Sequence, residues 1–218
     1  MSLPLYAVYG SSGCGRGIMP LARDMLAVQG VSARRLVFID DSPTMESING
    51  QRVCSYADFL TTDASSRHVV IGIANSAVRE KLAVRLQADG VQCWSVQAAN
   101  VIMMDDVQLA DGAALSPFVT LTSNIRIGRH FQANLYSYVE HDCVIGDFVT
   151  FAPGVKCNGN VVVEDHAYIG SGAVIKQGRP GAPLVIGRGA VVGMGAVVTK
   201  SVPAGATVVG NPARILSK

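Results

Sequence analysis

The sequence has few charged residues and no run of lysine and arginine. Only 16% of its 218 residues are Asp, Glu, Lys or Arg, and the formal net charge is +2. A nucleic-acid-binding surface needs clustered positive charge, so this composition argues against a nucleic-acid partner. We therefore expect the partners to be small molecules.

Long apolar runs are also missing. No stretch approaches the roughly 18 apolar residues of a membrane span, and the segment Met1 to Tyr6 lacks the features of a secretory signal. We therefore expect a cytoplasmic protein that does not engage a membrane.

The cysteines are odd in number and form no C-x-x-C pair, so we expect reduced thiols, no disulfide framework and no metal site. These residues are Cys14, Cys54, Cys93, Cys143 and Cys157.

The first half of the chain, residues 1–100, alternates short apolar runs with helix-like segments. Strands are expected at residues 5–9, 36–39, 68–73 and 92–96, and helices at residues 18–29 and 77–88. This alternation predicts an α/β domain with a small Rossmann-like parallel sheet and helices on both faces. The ligand crevice of such a sheet lies at the carboxyl ends of its strands.

Glycines and acidic residues occupy those strand ends. The first run is followed by a glycine-rich segment, Gly10 to Gly17, and the second by Asp40-Asp41. Backbone N–H groups at a helix N-terminus can hold a diphosphate, and an aspartate can accept hydrogen bonds from a base or a ribose. The spacing departs from the dinucleotide pattern G-x-G-x-x-G, however. A tight turn followed by a solvated acidic loop is the alternative interpretation.

The second half, residues 101–218, repeats every six residues. Three hexapeptides make one triangular coil of 18 residues, in which the third residues stack into a core. We expect the glycine that often follows the third residue, as at Gly128, to permit a tight corner. The register pauses at residues 179–183 and resumes at Ile186. The third residues, counted from Val107, are Leu109, Leu115, Leu121, Ile127, Ala133, Val139, Ile145, Phe151, Cys157, Val163, Ile169 and Ile175.

This period predicts a left-handed parallel β-helix of hexapeptide repeats. Proteins with this repeat are mostly acyltransferases that use coenzyme A, although a purely structural spacer is the alternative.

Residues 18 apart share a corner, about 4.8 Å from each other. His141 therefore stacks in a column with Ser123, Gly159 and Gln177, and we expect the missing side chain at Gly159 to leave room for a thin substrate arm. His141 also has carboxylates on both sides, Glu140 and Asp142, which makes it a candidate base. A histidine that merely decorates a solvated corner is the alternative.

Positive charge accumulates near the C-terminus. No Asp or Glu follows Asp165, which predicts a phosphate-bearing ligand such as coenzyme A unless this face is merely solvated. The positive residues in this region are Lys176, Arg179, Arg188, Lys200, Arg214 and Lys218.

His130 and His166 share another corner two coils apart. That separation of about 9.6 Å is too long for one zinc ion, so we expect no metal.

Taken in order, these motifs resemble a known family. They are the glycine-rich segment, the Asp pair, the run Glu140-His141-Asp142-Cys143-Val144-Ile145-Gly146-Asp147 and the ending Gly210-Asn211-Pro212-Ala213-Arg214. Over essentially the whole chain the sequence resembles the sialic acid O-acetyltransferase and nucleotide-sugar N-acetyltransferase family. The resemblance implies acetyl-CoA-dependent acetylation of a nucleotide-linked 4-amino-4,6-dideoxy sugar. It also implies homotrimers with active sites between adjacent β-helices.

The resemblance also implies a role for individual residues. It implies His141 as the catalytic base and Asp142 as the residue that orients it. The implied substrate-binding residues are Gly10, Ser11, Ser12, Gly13, Cys14, Gly15, Asp40, Asp41 and Asn75. The implied acetyl-CoA-binding residues are Gly159, Ser171, Gly193, Met194, Gly195 and Arg214. Family members often have histidine where this sequence has Cys14, so the role of Cys14 stays open.

The available groups suit a direct acetyl transfer. A neutral sugar amine attacks the thioester carbonyl, His141 accepts the proton, and a backbone N–H near Gly159 stabilises the oxyanion. Two other functions stay open, an O-acetyltransferase for a free sugar such as sialic acid and a non-catalytic trimeric scaffold. The sequence does not distinguish guanine from uracil or thymine, because Asp40 and Asp41 can accept hydrogen bonds from N–H groups of each.

Overall fold

The structure, a computed structural model, describes residues 2–216. The chain divides into two compact units. The first contains residues 2–99 together with Gly112–Ala114, and the second contains Asn100–Asp111 together with residues 115–216. Within residues 2–216, no helix is both long and apolar enough to cross a membrane.

The first unit is built on a mostly parallel sheet. Its elements in chain order are β1 (Leu5–Tyr9), α1 (Gly13–Val28), a 3-10 helix (Ala33–Arg35), β2 (Leu36–Ile39), β3 (Ser47–Ile48), β4 (Gln51–Cys54), α2 (Tyr56–Thr61), β5 (Arg67–Ile71), α3 (Ser76–Ala88) and β6 (Gln92–Cys93). The strand order is β3-β4-β2-β1-β5-β6, in which only the β3–β4 pair is antiparallel.

Helices cover both faces of this sheet. Alternate residues of a strand point to opposite faces, so Val8 packs in one core with α1 while Ala7 and Tyr9 pack in another with α2 and α3. The central strands are therefore buried on both sides, as expected of parallel strands. The register places Tyr9 beside Ile39 and Ile71. The segments that follow these three residues consequently leave the sheet at the same edge.

The predicted start of the first helix is wrong. Helix α1 begins at Gly13 rather than Ile18, so the last five of the eight residues in the glycine-rich segment are helical. Gly15 explains this arrangement, because a Cβ there would lie 1.8 Å from the carbonyl oxygen of Gly10. The glycine thus allows the helix to pass directly over the end of β1. The strand predicted at residues 92–96 is also shorter, since β6 ends at Cys93.

The chain from residue 96 to residue 215 consists of short strands that coil. From residue 96 the strands are β7 (Val96–Gln97), β8 (Ile102–Met103), β9 (Val107–Leu109), β10 (Ala114–Leu115), β11 (Thr120–Leu121), β12 (Ile125–Ile127), β13 (Gln132–Ala133), β14 (Tyr138–Val139), β15 (Val144–Ile145), β16 (Thr150–Phe151), β17 (Lys156–Cys157), β18 (Val161–Val163), β19 (Tyr168–Ile169), β20 (Val174–Ile175), β21 (Leu184–Ile186), β22 (Val191–Val192), β23 (Val197–Val198), β24 (Thr207–Val209) and β25 (Arg214–Ile215). Strands stack in parallel at an interval of 18 residues, as in the pair Thr120 and Tyr138. The three resulting sheets are consistent with the predicted left-handed β-helix.

The predicted core of the β-helix is confirmed. Every third-position residue from Leu115 to Ile175 is buried, and only Leu109 at the start is half-exposed. The interruption also lies where expected, because Val161 pairs with Leu184 at an interval of 23 residues instead of 18. Arg179 and Ala182 close this extra loop by pairing with each other.

The corners are made differently from the prediction. The glycines after third positions do not turn the chain; Gly128 instead avoids a clash, because a Cβ there would lie 2.7 Å from the backbone nitrogen of Asp147 on the next coil. The turn lies two residues later, at the sixth position of successive hexapeptides from Asp106 to Gly172, where φ is positive. The residues at these left-handed corners are Asp106, Gly112, Phe118, Asn124, His130, Tyr136, Asp142, Phe148, Gly154, Asn160, His166 and Gly172.

Candidate active site

His141 and Asp142 form a hydrogen-bonded pair on an exposed edge of the β-helix. The imidazole Nδ1 lies 2.8 Å from Asp142 Oδ2. Asp142 occupies a left-handed corner with φ of 57°, which turns its carboxylate toward the preceding residue. Since Nδ1 faces the carboxylate, Nε2 is the nitrogen available to a substrate. Of the two carboxylates beside His141 in the sequence, Asp142 is the one in contact.

The imidazole lies over the backbone of Gly159. The register stacks residue 141 on residue 159, and a Cβ at Gly159 would meet the ring at 2.5 Å from Cε1 and 2.6 Å from Nε2. The expectation that this space admits a substrate arm is wrong, because the ring itself fills it. The absence of a side chain at Gly159 therefore makes room for the imidazole of His141.

The pKa of His141 is raised above its ordinary value. The main cause is the hydrogen bond with Asp142, while the slight burial of the ring acts in the opposite direction. The charges of Asp142 and Glu140 also raise this pKa. A higher pKa makes the neutral imidazole a stronger proton acceptor. The pair can therefore serve as a general base at an exposed edge.

A positively charged cavity lies further along the same edge. The register continues the column of His141 and Gly159 to Gln177 and then to Lys200. Here the extra loop and the neighbouring coils line a cavity of about 330 Å³ that includes Lys176, Arg179 and Lys200. Three cations around one cavity form an anion-binding surface.

The other predicted acetyl-CoA residues lie on a different edge. Gly195 donates its backbone N–H to the Ser171 carbonyl at 2.8 Å, which places these two residues on successive coils. Met194 beside them is 82% exposed. Arg214 lies in β25 opposite Val209. Within one chain the structure does not bring Ser171 and residues 193–195 to the column of His141.

The glycine-rich segment forms the start of α1. Gly10 has a φ of 107°, and Ser12 is the N-cap residue without a side-chain cap. The N–H groups of the first turn, at Gly13, Cys14 and Gly15, thus form a helix N-terminus of the kind that binds anions. Burial raises the pKa of the Cys14 thiol, and the charge of Arg79 opposes that shift.

The two aspartates have different partners. Asp40 accepts hydrogen bonds from the Ser11 hydroxyl and, at 3.0 Å, from the backbone N–H of Ser42. Asp41 accepts from the Tyr9 hydroxyl at 2.7 Å and from Arg85 at 3.4 Å. Sequence reasoning missed Tyr9 and Arg85, because one looks like a core strand residue and the other like a helix surface residue.

Asn75 is engaged in capping a helix. Its side chain accepts a hydrogen bond from the backbone N–H of Val78 at 3.1 Å, at the start of α3. Its carbonyl oxygen is therefore already used, although the amide nitrogen can still meet a ligand.

His130 and His166 are separated by an aromatic ring. Phe148 stacks on His130 at 5.1 Å and on His166 at 5.3 Å, nearly parallel to both. The column is thus a continuous ring stack. Among residues 2–216 there is no group of three or more His, Cys, Asp or Glu residues that could hold a metal ion.

Comparison with known proteins identifies the family. The chain is 48% identical over 214 residues to the GDP-perosamine N-acetyltransferase of Escherichia coli O157:H7, which covers 98% of this chain and 97% of the relative. The chain belongs to the nucleotide-sugar N-acetyltransferase family. The resemblance that the sequence motifs indicate, with GDP-perosamine N-acetyltransferase as the favoured member of the family, is confirmed. No family model matches the chain.

Solved structures of similar proteins share the fold. WeeI from Acinetobacter baumannii AYE superposes with a TM-score of 0.95 at 59% identity, covering 98% of this chain and 100% of WeeI. The acetyltransferase domain of PglB from Neisseria gonorrhoeae FA1090 gives 0.83 at 25% identity, covering 97% of this chain and 98% of that domain. The PglB domain has also been solved in complex with acetyl coenzyme A. The family fold thus extends over both units of this chain.

Proposed function

We propose that this protein transfers the acetyl group of acetyl-CoA to the 4-amino group of a nucleotide-linked 4-amino-4,6-dideoxy sugar, with GDP-perosamine as the substrate. The observation that carries this proposal is the 48% identity to GDP-perosamine N-acetyltransferase over 98% of the chain. The exposed His141–Asp142 pair supplies a base of the kind that amine acetylation needs.

His141 acts as the general base and Asp142 orients it. The sugar nitrogen attacks the thioester carbonyl carbon, so that a C–N bond forms and the C–S bond breaks. His141 Nε2 takes the proton lost from nitrogen and returns it to the departing thiolate, which leaves as the free thiol of coenzyme A. Asp142 fixes the tautomer by holding the Nδ1 proton. No covalent acyl-enzyme is required.

The backbone N–H of Gly159 stabilises the oxyanion. Within residues 2–216 this N–H donates to no other group, and the residue itself lies next to the imidazole, because a Cβ on Gly159 would be 2.5 Å from His141 Cε1. A donor already in place where negative charge develops lowers the barrier without reorganisation.

The first unit is a Rossmann-like domain that binds the nucleotide sugar. The first turn of α1, from Ser12 to Gly15, holds the diphosphate through its N–H groups, while Gly10 and Ser11 complete the turn before it. Asp40, Asp41 and Asn75 follow neighbouring strands at the same sheet edge and contact the nucleoside or the sugar. Cys14, in the same turn, contacts the sugar or the phosphate.

The second unit binds acetyl-CoA and completes its site in a homotrimer. His141, Gly159 and the cationic cavity lie on one edge, whereas Ser171, Gly193, Met194 and Gly195 lie on another. A site that uses both edges therefore needs a neighbouring copy of the chain. The three cations suit the phosphates of coenzyme A. Arg214, near the C-terminal end of the chain, is a further residue that we assign to acetyl-CoA binding. We place the domain boundary near residue 100 and the reaction in the cytoplasm.

Isothermal titration tests this function. The full-length protein is titrated with acetyl-CoA and then separately with GDP, UDP and dTDP. Binding of acetyl-CoA and of GDP alone among the nucleotides is the expected result. Binding of acetyl-CoA without any nucleotide would favour a free-sugar O-acetyltransferase instead. If acetyl-CoA does not bind, the non-catalytic trimeric scaffold becomes the favoured function.

A further inference from the structure

Asp41 is held at one carboxylate oxygen only. Its Oδ1 accepts a hydrogen bond from the Tyr9 hydroxyl at 2.7 Å and lies 3.4 Å from Arg85 Nη1. Its Oδ2 accepts no hydrogen bond from any of residues 2–216, and the side chain is 58% exposed. Asp41 therefore presents one fixed oxygen to the protein and one open oxygen to the outside.

Asp40 is arranged in the opposite way. One of its oxygens accepts from the Ser11 hydroxyl and the other from the backbone N–H of Ser42. The second contact spans two residues and closes a local turn of the kind that aspartate side chains favour. Asp40 thus ties the glycine-rich segment to the loop that carries Asp41.

The partners of Asp41 are themselves fixed. The Arg85 guanidinium lies 4.1 Å from the centre of the Tyr56 ring and 3.2 Å from the Tyr9 hydroxyl. The rings of Tyr9 and Tyr56 stack at 5.5 Å, and the Tyr56 hydroxyl donates to Asp89 at 2.7 Å. Burial, followed by the hydrogen bond to Asp41, raises the pKa of Tyr9, so this hydroxyl stays protonated and donates. Arg85 is consequently held by a cation–π contact and by two oxygens.

We propose that Tyr9 and Arg85 are positioning residues that aim the open oxygen of Asp41 at a ring N–H group of the nucleotide base. This inference rests on the proposed binding of a nucleotide sugar by the first unit. A carboxylate oxygen accepts from the ring N–H of guanine or uracil, whereas adenine presents a ring nitrogen that is itself an acceptor. Arg85 also offsets the negative charge of Asp41 where a diphosphate has to approach.

Binding of free nucleotides to the full-length protein tests this proposal. Tyr9→Phe keeps the ring stack and removes only the hydroxyl, and Arg85→Gln removes the guanidinium together with its charge. We expect each to weaken GDP binding about tenfold, as for loss of a hydrogen bond to a charged group. Lys81→Gln makes the same charge change on an exposed residue of the same helix and should leave GDP binding unchanged.

A double-mutant cycle separates positioning from a general effect on the fold. If Tyr9 acts through Asp41, then Tyr9→Phe in an Asp41→Asn background should weaken GDP binding less than about twofold further. Asp41→Asn alone should reduce the preference for GDP over ADP, since an amide can also donate to adenine. In kinetics, KM for the nucleotide sugar should rise while kcat and KM for acetyl-CoA stay unchanged.

Two outcomes would overturn the proposal, and they are distinguishable from failure of the proposed function. Additive effects in the cycle, or GDP binding by Tyr9→Phe and Arg85→Gln as tight as that of the unmodified protein, would refute the positioning role alone. Absence of GDP, UDP and dTDP binding by the unmodified protein would refute the nucleotide site together with it. Should Tyr9→Phe fail to fold, Arg85→Gln carries the same test from a half-exposed position.

Discussion

The imidazole of His141 occupies the space that a side chain at Gly159 would fill. A Cβ there would lie 2.6 Å from His141 Nε2, well inside van der Waals contact. The orientation of the proposed base therefore depends on the absence of one side chain on the next coil, as well as on the hydrogen bond that His141 Nδ1 donates to Asp142.

Gly159→Ala should displace the ring. We expect kcat to fall about a hundredfold, because a shift of about 1 Å in a reacting group has an effect of that size. Steady-state kinetics with thermal unfolding as a check on folding measure this. Ser123→Ala changes the opposite neighbour in the same column and should leave kcat unchanged. A fully active Gly159→Ala enzyme would mean that the ring has another productive orientation.

His141→Ala should lower kcat/KM within the usual range for a general base, roughly 10² to 10⁴-fold. The loss should be at the low end, because an amine is already a good nucleophile and needs less activation than a hydroxyl. Binding of acetyl-CoA and GDP, measured by titration, should persist. Full kcat/KM in this variant would remove His141 from the role of base.

Asp142→Asn should shift the pH dependence of the reaction. The hydrogen bond that the imidazole donates to Asp142 raises the pKa of His141, so its loss lowers that pKa, and the acidic limb of the kcat/KM profile should move to lower pH. Asparagine is chosen because it tolerates the left-handed conformation at residue 142, where φ is 57°. The plateau of kcat/KM at high pH should fall less for Asp142→Asn than kcat/KM falls for His141→Ala. An acidic limb that stays in place would show that another group governs it.

Gly15→Ala should destabilise the first unit. The new Cβ would meet the Gly10 carbonyl oxygen at 1.8 Å, so α1 would have to move away from the sheet, at a cost of about 3 kcal/mol. Gly17→Ala is the matched control, because it lies in the same helix with no atom within 4 Å of its Cβ. It should be neutral or stabilising by about 0.5–1 kcal/mol through helix propensity. Chemical denaturation of both variants measures the difference, and equal stabilities would contradict the close approach.

The period of the β-helix was predictable because it is a local property. Each short strand carries its own inward residue, so the spacing from Leu115 to Ile175 shows the core without knowledge of any distant contact. The left-handed corners were not predictable in the same way. Their residues include Phe118, His130 and Tyr136, which have no common preference for positive φ, and stacking against the next coil holds them there.

The proposed site also has a part that was predictable from local sequence and a part that was not. His141 and Asp142 are neighbours in the chain, so their pairing could be anticipated, as could the stacking of residue 141 on residue 159. That the ring fills the space over Gly159 depends on its orientation, which the sequence does not specify.

The sequence alone determined the repeat, the buried positions and the presence of a histidine flanked by carboxylates, because each depends on residues close together or at a fixed interval. Only the tertiary structure decided which oxygen of Asp41 is open. Its partners Tyr9 and Arg85 lie 32 and 44 residues away and meet it through the packing of a strand end and a helix. Contacts between such distant segments are set by how the elements pack, and no local pattern records them.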